Sequence, residues 1–208
     1  MKKRDAKATK MKILKKAREL FSKKGFDATT VDDIAEASGV NKALIYYYFQ
    51  NKSGLYSEIM SGLFDAIYNE VEQSSKQLTS SMHKLEVFVD TYTQYANKNP
   101  YFPALLLREL SDSGSHLPKE MFSSMRKVYA LLSQILVGGK EEGVFNESIP
   151  MIVHFMIIGS INLMITTKPL REKAMQIDTE VDTCSTCSVK DISTFVFQTI
   201  KKSLEVTK

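Results

Sequence analysis

Residues 29–49 read TTVDDIAEASGVNKALIYYYF, and this stretch constrains the fold more than any other part of the chain. Thr30 is a good helix N-cap, because its side-chain oxygen can accept from the N–H of Asp33, and Asp32 and Asp33 suit the positive end of the helix dipole. The short helix that follows turns Val31, Ile34, Ala35 and Ala37 inward and stops at Gly39. The chain turns within the three residues Gly39, Val40 and Asn41, and Asn41, a second N-cap, opens another short helix from about Lys42 to Tyr48. Two short helices about a tight, glycine-containing turn match the helix-turn-helix pattern. In that motif the second helix enters the DNA major groove by its N-terminal end, which places Lys42, Ala43, Tyr46 and Tyr47 toward DNA.

Helical periodicity sorts the aromatic run at 46–49. Leu44, Ile45 and Phe49 complete an apolar side facing Ile34, Ala35 and the preceding helix, whereas Tyr46 shares a face with Lys42 one turn earlier. Three consecutive tyrosines spread around a helix axis at about 100° intervals, so they cannot all point inward. An exposed tyrosine beside lysines offers a hydroxyl to phosphate and a ring edge to sugar or a thymine methyl.

Charge agrees with a polyanion partner. Residues 1–52 carry 13 Lys/Arg against 6 Asp/Glu, a surplus of seven positive charges, while residues 53–208 carry 15 against 18, a deficit of three. A basic N-terminal block fits nucleic acid or an anionic membrane surface. The first 21 residues contain no apolar core of a secretory signal, so a cytoplasmic location is expected.

Elsewhere the periodicity is helical wherever it is clear, and no alternating strand emerges. A first helix is set by Ile13, Leu14, Ala17, Leu20 and Phe21, ending at Gly25. A long helix from Lys52 to about Gln77 carries Tyr56, Met60, Phe64, Ile67 and Val71. Another runs from about Met82 to Asn97 with Leu85, Phe88, Val89, Tyr92 and Ala96 inward. Gly54 weakens the start of the long helix. A shorter helix follows in NPYFPALLLREL, then a loop, SDSGSHLP. The next helix aligns Phe122, Met125, Val128, Tyr129, Leu132 and Ile135 and ends before Gly143. The last two cover about 148–166 and 189–205. Between Met151 and Ile165 the chain is apolar nearly all round, more than one core can cover, so a second partner surface is expected. Pro150, His154, Ser160 and Asn162 favour a protein-buried helix there over a membrane span.

Cys184 and Cys187 form a C-x-x-C with no histidine near in sequence, and no metal site is expected. Two ordinary thiols in a polar loop is the expectation, with a redox pair as the variant. No H-E-x-x-H, Gly-rich phosphate loop or convergent triad is visible, so the chain is not expected to be an enzyme or to need a cofactor.

The residues Thr30, Val31, Ile34, Ala35, Gly39, Val40, Ile45, Tyr46, Tyr48, Phe49, Lys52 and Leu55, in this register, resemble the helix-turn-helix signature of the tetracycline-repressor (TetR) family of bacterial transcriptional regulators. The resemblance covers about residues 9–60. Asn41, Ala43 and Gly54 depart from the common pattern of Ser or Thr, Gly, and Glu. It implies an all-α fold of about nine helices: an N-terminal three-helix DNA-binding domain, residues 1–52, and a larger ligand-binding and dimerisation domain, residues 53–208. It implies phosphate contacts at Thr30, Tyr46, Tyr48 and Lys52 and base reading by Lys42, Ala43 and Tyr47, with Asn41 capping the reading helix. The last two helices would be the family's dimerisation pair. Tyr92, Tyr95, Phe102, Leu106, Met121, Met125, Tyr129 and His154 lie on segments that line the family's pocket for a small effector. The implied partners are double-stranded operator DNA, a second copy of the chain and a small molecule, with no membrane. A redox-responsive regulator using Cys184 and Cys187, and a membrane-associated helical protein, are the alternatives.

Overall fold

The structure, a computed structural model, describes residues 3–117, 119–177 and 184–206. Among these are ten α-helices: α1 Lys3–Lys24, α2 Val31–Ser38, α3 Lys42–Phe49, α4 Lys52–Ser75, α5 Ser81–Lys98, α6 Tyr101–Ser111, α7 Lys119–Glu141, α8 Pro150–Thr166, α9 Lys168–Ile177 and α10 Val189–Leu204. The only β-type pairing among the described residues is an isolated bridge between Phe145 and Glu205. The all-α expectation holds, with one helix more than the periodicity gave. That helix, α9, is ten residues long and buries none of them, although Leu170, Ala174 and Ile177 recur at helical spacing.

The helices pack as two units. The first comprises residues 1–65 and 104–124, the second residues 66–103 and 125–208, so the division falls within α4, α6 and α7. In the first unit α1 packs on α2 and α2 on α3. Ile13, Ala17, Phe21, Ile34, Ile45, Phe49 and Leu55 are buried there, as the spacing requires. Ala37 departs from the expectation: it is exposed, and Ser38 is buried in its place. The Ser38 hydroxyl tolerates this because it donates to the Ile34 carbonyl one turn back.

Local chemistry fixes the turns. The Thr30 hydroxyl accepts from the Asp33 N–H at 3.0 Å while the Asp33 carboxylate accepts from the Thr30 N–H at 2.9 Å, a complete capping box. Those same bonds hold the Asp33 carboxyl below its ordinary range. Gly39 closes α2 in the left-handed region at φ 60°, where a side chain would be strained. The Asn41 side chain accepts from the Ala43 N–H at 2.8 Å and opens α3. Gly54 has a role the sequence reading did not foresee: a Cβ there would collide with the Phe49 carbonyl oxygen.

In the second unit α10 packs on α5 and α8, and α5 on α8. Leu85, Phe88, Val89, Tyr92 and Ala96 of α5 are buried as expected, and so are Val128, Leu132 and Ile135 of α7. Phe122, in the first unit, does not join the α7 stripe: it is 55% exposed, and Met121 and Ser124 take the inward positions. The helix α8 buries Val153, Ile157, Ile158, Ile161 and Asn162, yet leaves Met151, Ile152, Phe155, Met156 and Leu163 exposed. No single described helix is long and apolar enough to cross a membrane; α8 and α9 reach the required length and composition only as a pair bent by 58°.

The two cysteines correct the expectation of ordinary thiols. Cys184 and Cys187 are joined as a disulfide, their Cα atoms 5.1 Å apart, a separation within the range such bonds need. Pro118 and residues 178–183, parts of the loops expected beside α7 and the cysteines, lie outside the described residues.

Candidate DNA-binding face and effector residues

The exposed side of α3 carries the residues that spacing assigned to DNA. Tyr47 is 78% exposed and Tyr46 44%, while Ile45 and Phe49 on the opposite side are buried. Lys42 and Ala43 are exposed in the first turn, and Asn41 and Thr30 are exposed at the N-caps of α3 and α2. Six of the eight DNA-contact candidates therefore reach solvent. The other two are half-buried. Tyr48 packs edge-on against Tyr47, with ring centroids 5.3 Å apart, and its hydroxyl is buried with no hydrogen-bond partner among the described residues. Lys52 places its ammonium 4.2 Å over the Phe26 ring and donates to the Phe26 carbonyl at 3.0 Å. It also donates to the Asp27 carbonyl at 3.5 Å, and since an ammonium has three donors, one is left for a phosphate.

Sequence spacing missed one partner of this face. Lys42 pairs with Asp32 at 2.8 Å, a bond from the first turn of α3 back to the first turn of α2. That hydrogen bond raises the Lys42 ammonium's pKa above its ordinary value and occupies its charge in the free protein. Asp32 was read only as a dipole-facing residue. Lys12 of α1 also arrives here, its ammonium lying within van der Waals reach of a Cβ placed on Gly39.

The effector candidates divide between the units. Leu106 and Met121 are buried in the first. In the second, Tyr92, Tyr95 and Phe102 are buried together, with Phe102 6.0 Å from Tyr92 and 5.5 Å from Tyr95 between ring centroids. The Tyr92 hydroxyl donates to Asn162 at 3.1 Å, and burial pushes its pKa upward. Asn162, read from the sequence as a polar residue that a protein-buried helix must pair, is buried and paired here, though it was not among the effector candidates. Tyr129 meets His154 edge-on at 5.6 Å. Burial lowers the His154 pKa to about 4, and its Nδ1 has no hydrogen-bond partner among the described residues. Met125 is half-buried.

Two family models account for most of the chain: residues 13–59 match the bacterial regulatory proteins of the tetR family, and residues 57–190 match the C-terminal region of YsiA-like protein, a tetR-type C-terminal domain. The chain belongs to the tetR family. It is 30% identical over 124 residues to the Staphylococcus aureus biofilm operon icaADBC negative transcriptional regulator IcaR, covering 54% of this chain and 67% of that protein. It is 26% identical over 156 residues to the transcriptional repressor NicS of Pseudomonas putida, covering 74% and 73%. Among solved structures, a tetR family regulator from Marinobacter aquaeolei matches with TM-score 0.76 at 16% identity, covering 100% of both chains. FadR from Bacillus subtilis, solved with stearoyl-CoA, matches with TM-score 0.72 at 21% identity, covering 93% and 98%. These two likenesses show the fold. Members of the tetR family are DNA-binding transcriptional regulators, and a regulatory rather than enzymatic role follows for this chain at that level.

Proposed function

We propose that this tetR family member is a homodimeric, cytoplasmic repressor that binds a palindromic operator and is released by a small, largely apolar effector. The observation that carries the reading is the exposed, capped α3 with Lys42, Tyr46 and Tyr47 on its wet side. Residues 1–52 serve as the DNA-binding domain and residues 53–208 as the effector and dimer domain. Lys42, Ala43 and Tyr47 read bases; Thr30, Tyr46, Tyr48 and Lys52 hold phosphates, and Asn41 presents α3. On DNA, Lys42 exchanges the Asp32 carboxylate for a base edge or a phosphate. Two copies supply two recognition helices to half-sites about one DNA turn apart, which gives the affinity that one short helix lacks. The exposed apolar residues of α8, with Phe155 57% exposed, and of α10, with Phe195 75% exposed, support the dimer face.

Effector release works by linkage: a ligand that prefers the dimer whose recognition helices are wrongly spaced lowers DNA affinity by that preference. Tyr92, Tyr95, Phe102, Leu106, Met121, Met125, Tyr129 and His154 are the effector residues of this proposal. The stearoyl-CoA bound to the Bacillus subtilis FadR supports an apolar ligand class.

Gel shifts on a selected operator and on scrambled DNA, at several salt concentrations, test the DNA-binding roles. Lys52→Ala is expected to weaken both DNAs alike, whereas Tyr47→Ala shifts the preferred base. An unchanged preference in Tyr47→Ala would remove that residue from base reading.

A second reading is favoured by one observation. The Cys184–Cys187 disulfide borders a groove of about 830 Å³ lined by α8 and α10 residues that include Met156, Met164 and Phe195. Reduction by a dithiol would return two thiols and loosen the turn that leads into α10. Operator affinity that differs between oxidised and reduced protein, and not in the Cys184→Ser, Cys187→Ser double variant, is the expected result; no difference removes the redox reading.

A further inference from the structure

Glu109 sits in α6 at 3% exposure, and only one of its carboxylate oxygens is satisfied. Oε1 accepts from the Tyr56 hydroxyl at 2.5 Å, while the buried Oε2 has no hydrogen-bond partner among the described residues. A buried carboxylate oxygen left bare is costly, and native proteins rarely keep one without a ligand, an ion or a water to serve it. Neither nearby base has a hydrogen bond to that oxygen. Arg108 donates to the Lys23 carbonyl at 2.8 Å, and Lys24 pairs with Asp33 at 3.3 Å.

Glu109 lines a cavity of about 320 Å³ that lies wholly within the first unit. Three aromatic rings form its apolar wall: Phe21 and Tyr56 are 5.0 Å apart, Phe26 and Tyr56 5.1 Å. His116 lies 4.6 Å from the Phe26 ring and closes another side. Its ring nitrogens lie 3.2 Å from an Asp27 oxygen and 3.1 Å from an Asp112 oxygen, so the imidazole N–H faces one or other of the two remaining carboxylates of the lining. Glu109 is thus the acid left for a ligand. The lining carries three carboxylates, Asp27, Glu109 and Asp112, and three bases, Lys24, Arg108 and His116, of which Glu109 is the acid with an unserved buried oxygen.

We propose that this cavity is a binding site for a small organic ammonium ion, its charged head on Glu109 Oε2 and its apolar body among Phe21, Phe26 and Tyr56. Aromatic faces attract a desolvated cation, and one carboxylate oxygen supplies the hydrogen-bond acceptor. A divalent metal is disfavoured because no group of three or more His, Cys, Asp or Glu side chains among the described residues could hold one. An anion would meet Glu109 directly. The volume belongs to the small end of ligand sites. None of the cavity's lining residues is among the eight effector residues proposed above, so this would be a second ligand site, built against the same α4 that starts at Lys52.

The site is tested without DNA, so its failure is independent of the DNA-binding reading. Calorimetric titration uses 2-phenylethylammonium chloride on the full chain, with 2-phenylethanol as the neutral probe of the same shape and sodium chloride matching ionic strength. Wild type is expected to bind the ammonium saturably and the alcohol at least about tenfold more weakly. Glu109→Gln, shown folded by circular dichroism, is expected to lose about tenfold for the ammonium and nothing for the alcohol. No saturable ammonium binding at millimolar concentration, equal binding of ammonium and alcohol, or an unaffected Glu109→Gln would each overturn the site. Should Glu109→Gln fail to fold, the ammonium-to-alcohol ratio in wild type decides alone.

Discussion

At the scale of single residues, two charges carry the account. The Lys42–Asp32 pair engages the α3 lysine in the free protein, so under the proposed base-reading role the carboxylate competes with DNA for it. Asp32→Asn is therefore expected to raise DNA affinity and to steepen its fall with salt by about one unit of log–log slope, measured by fluorescence anisotropy. An affinity equal to or below wild type would mean that Asp32 does not compete for Lys42. The pair was not legible beforehand, because the two residues are ten apart in sequence and meet only when α2 and α3 pack. His154 carries the second prediction. Burial lowers its pKa to about 4, so the folded state holds it neutral while the unfolded chain takes up a proton below about 6.5. The unfolded state then binds more protons between these values, and stability falls as pH drops through that window. Urea melts should show about 2 kcal/mol of this loss between pH 7.5 and 5, absent in His154→Gln. An identical pH dependence in the variant would place the cause elsewhere.

At the scale of elements, α2 and α3 were legible from the chemistry at their ends, and the longer helices from their apolar stripes. Thr30, Gly39 and Asn41 bounded α2 and α3 because caps and a left-handed glycine act locally, within three residues. Thr30→Ala should cost about 1 kcal/mol of stability by urea denaturation, and Thr30→Ser should retain most of it. No loss in the alanine variant would show that the capping box contributes little. The helix α9 was not read from the sequence because it is short and rich in charge; Leu170, Ala174 and Ile177 do recur at helical spacing in KPLREKAMQI, but none of them is buried. Gly54 was read as a weak helix start, since only the packed structure brings the Phe49 carbonyl against it. Gly54→Ala is expected to destabilise by about 1–3 kcal/mol, the range for forcing an extra methyl into a filled site. A neutral or stabilising result would show that the Phe49–Gly54 junction relaxes freely.

At the scale of the whole molecule, the sequence was informative about the DNA-binding part and poor about the effector part. A helix-turn-helix needs a fixed register of caps, glycine and exposed polar residues, and Tyr46 and Tyr47 stand out because an apolar core gives them no reason to be exposed. The proposed effector residues have no such contrast. Tyr92, Tyr95 and Phe102 at helical spacing look the same whether they line a cavity or fill a core, and here their rings pack on one another. The C-x-x-C was visible as a motif, yet its pairing depends on the turn geometry around Cys184. Excess apolar surface on α8 was legible from composition alone, and it supports the proposed dimer face. Phe195→Glu, at a side chain 75% exposed, should leave the fold intact while shifting the sedimentation coefficient from dimer to monomer. A variant that remains dimeric would move the interface away from α10.

The most direct measurement is selection of bound duplexes from a random DNA pool by the purified chain, followed by affinity measurement across salt concentrations. The account predicts enrichment of an inverted repeat with half-sites about one helical turn apart, bound by two copies and at least about a thousandfold tighter than scrambled DNA. Recovery of no common sequence, or of a single half-site bound by one copy, would contradict it.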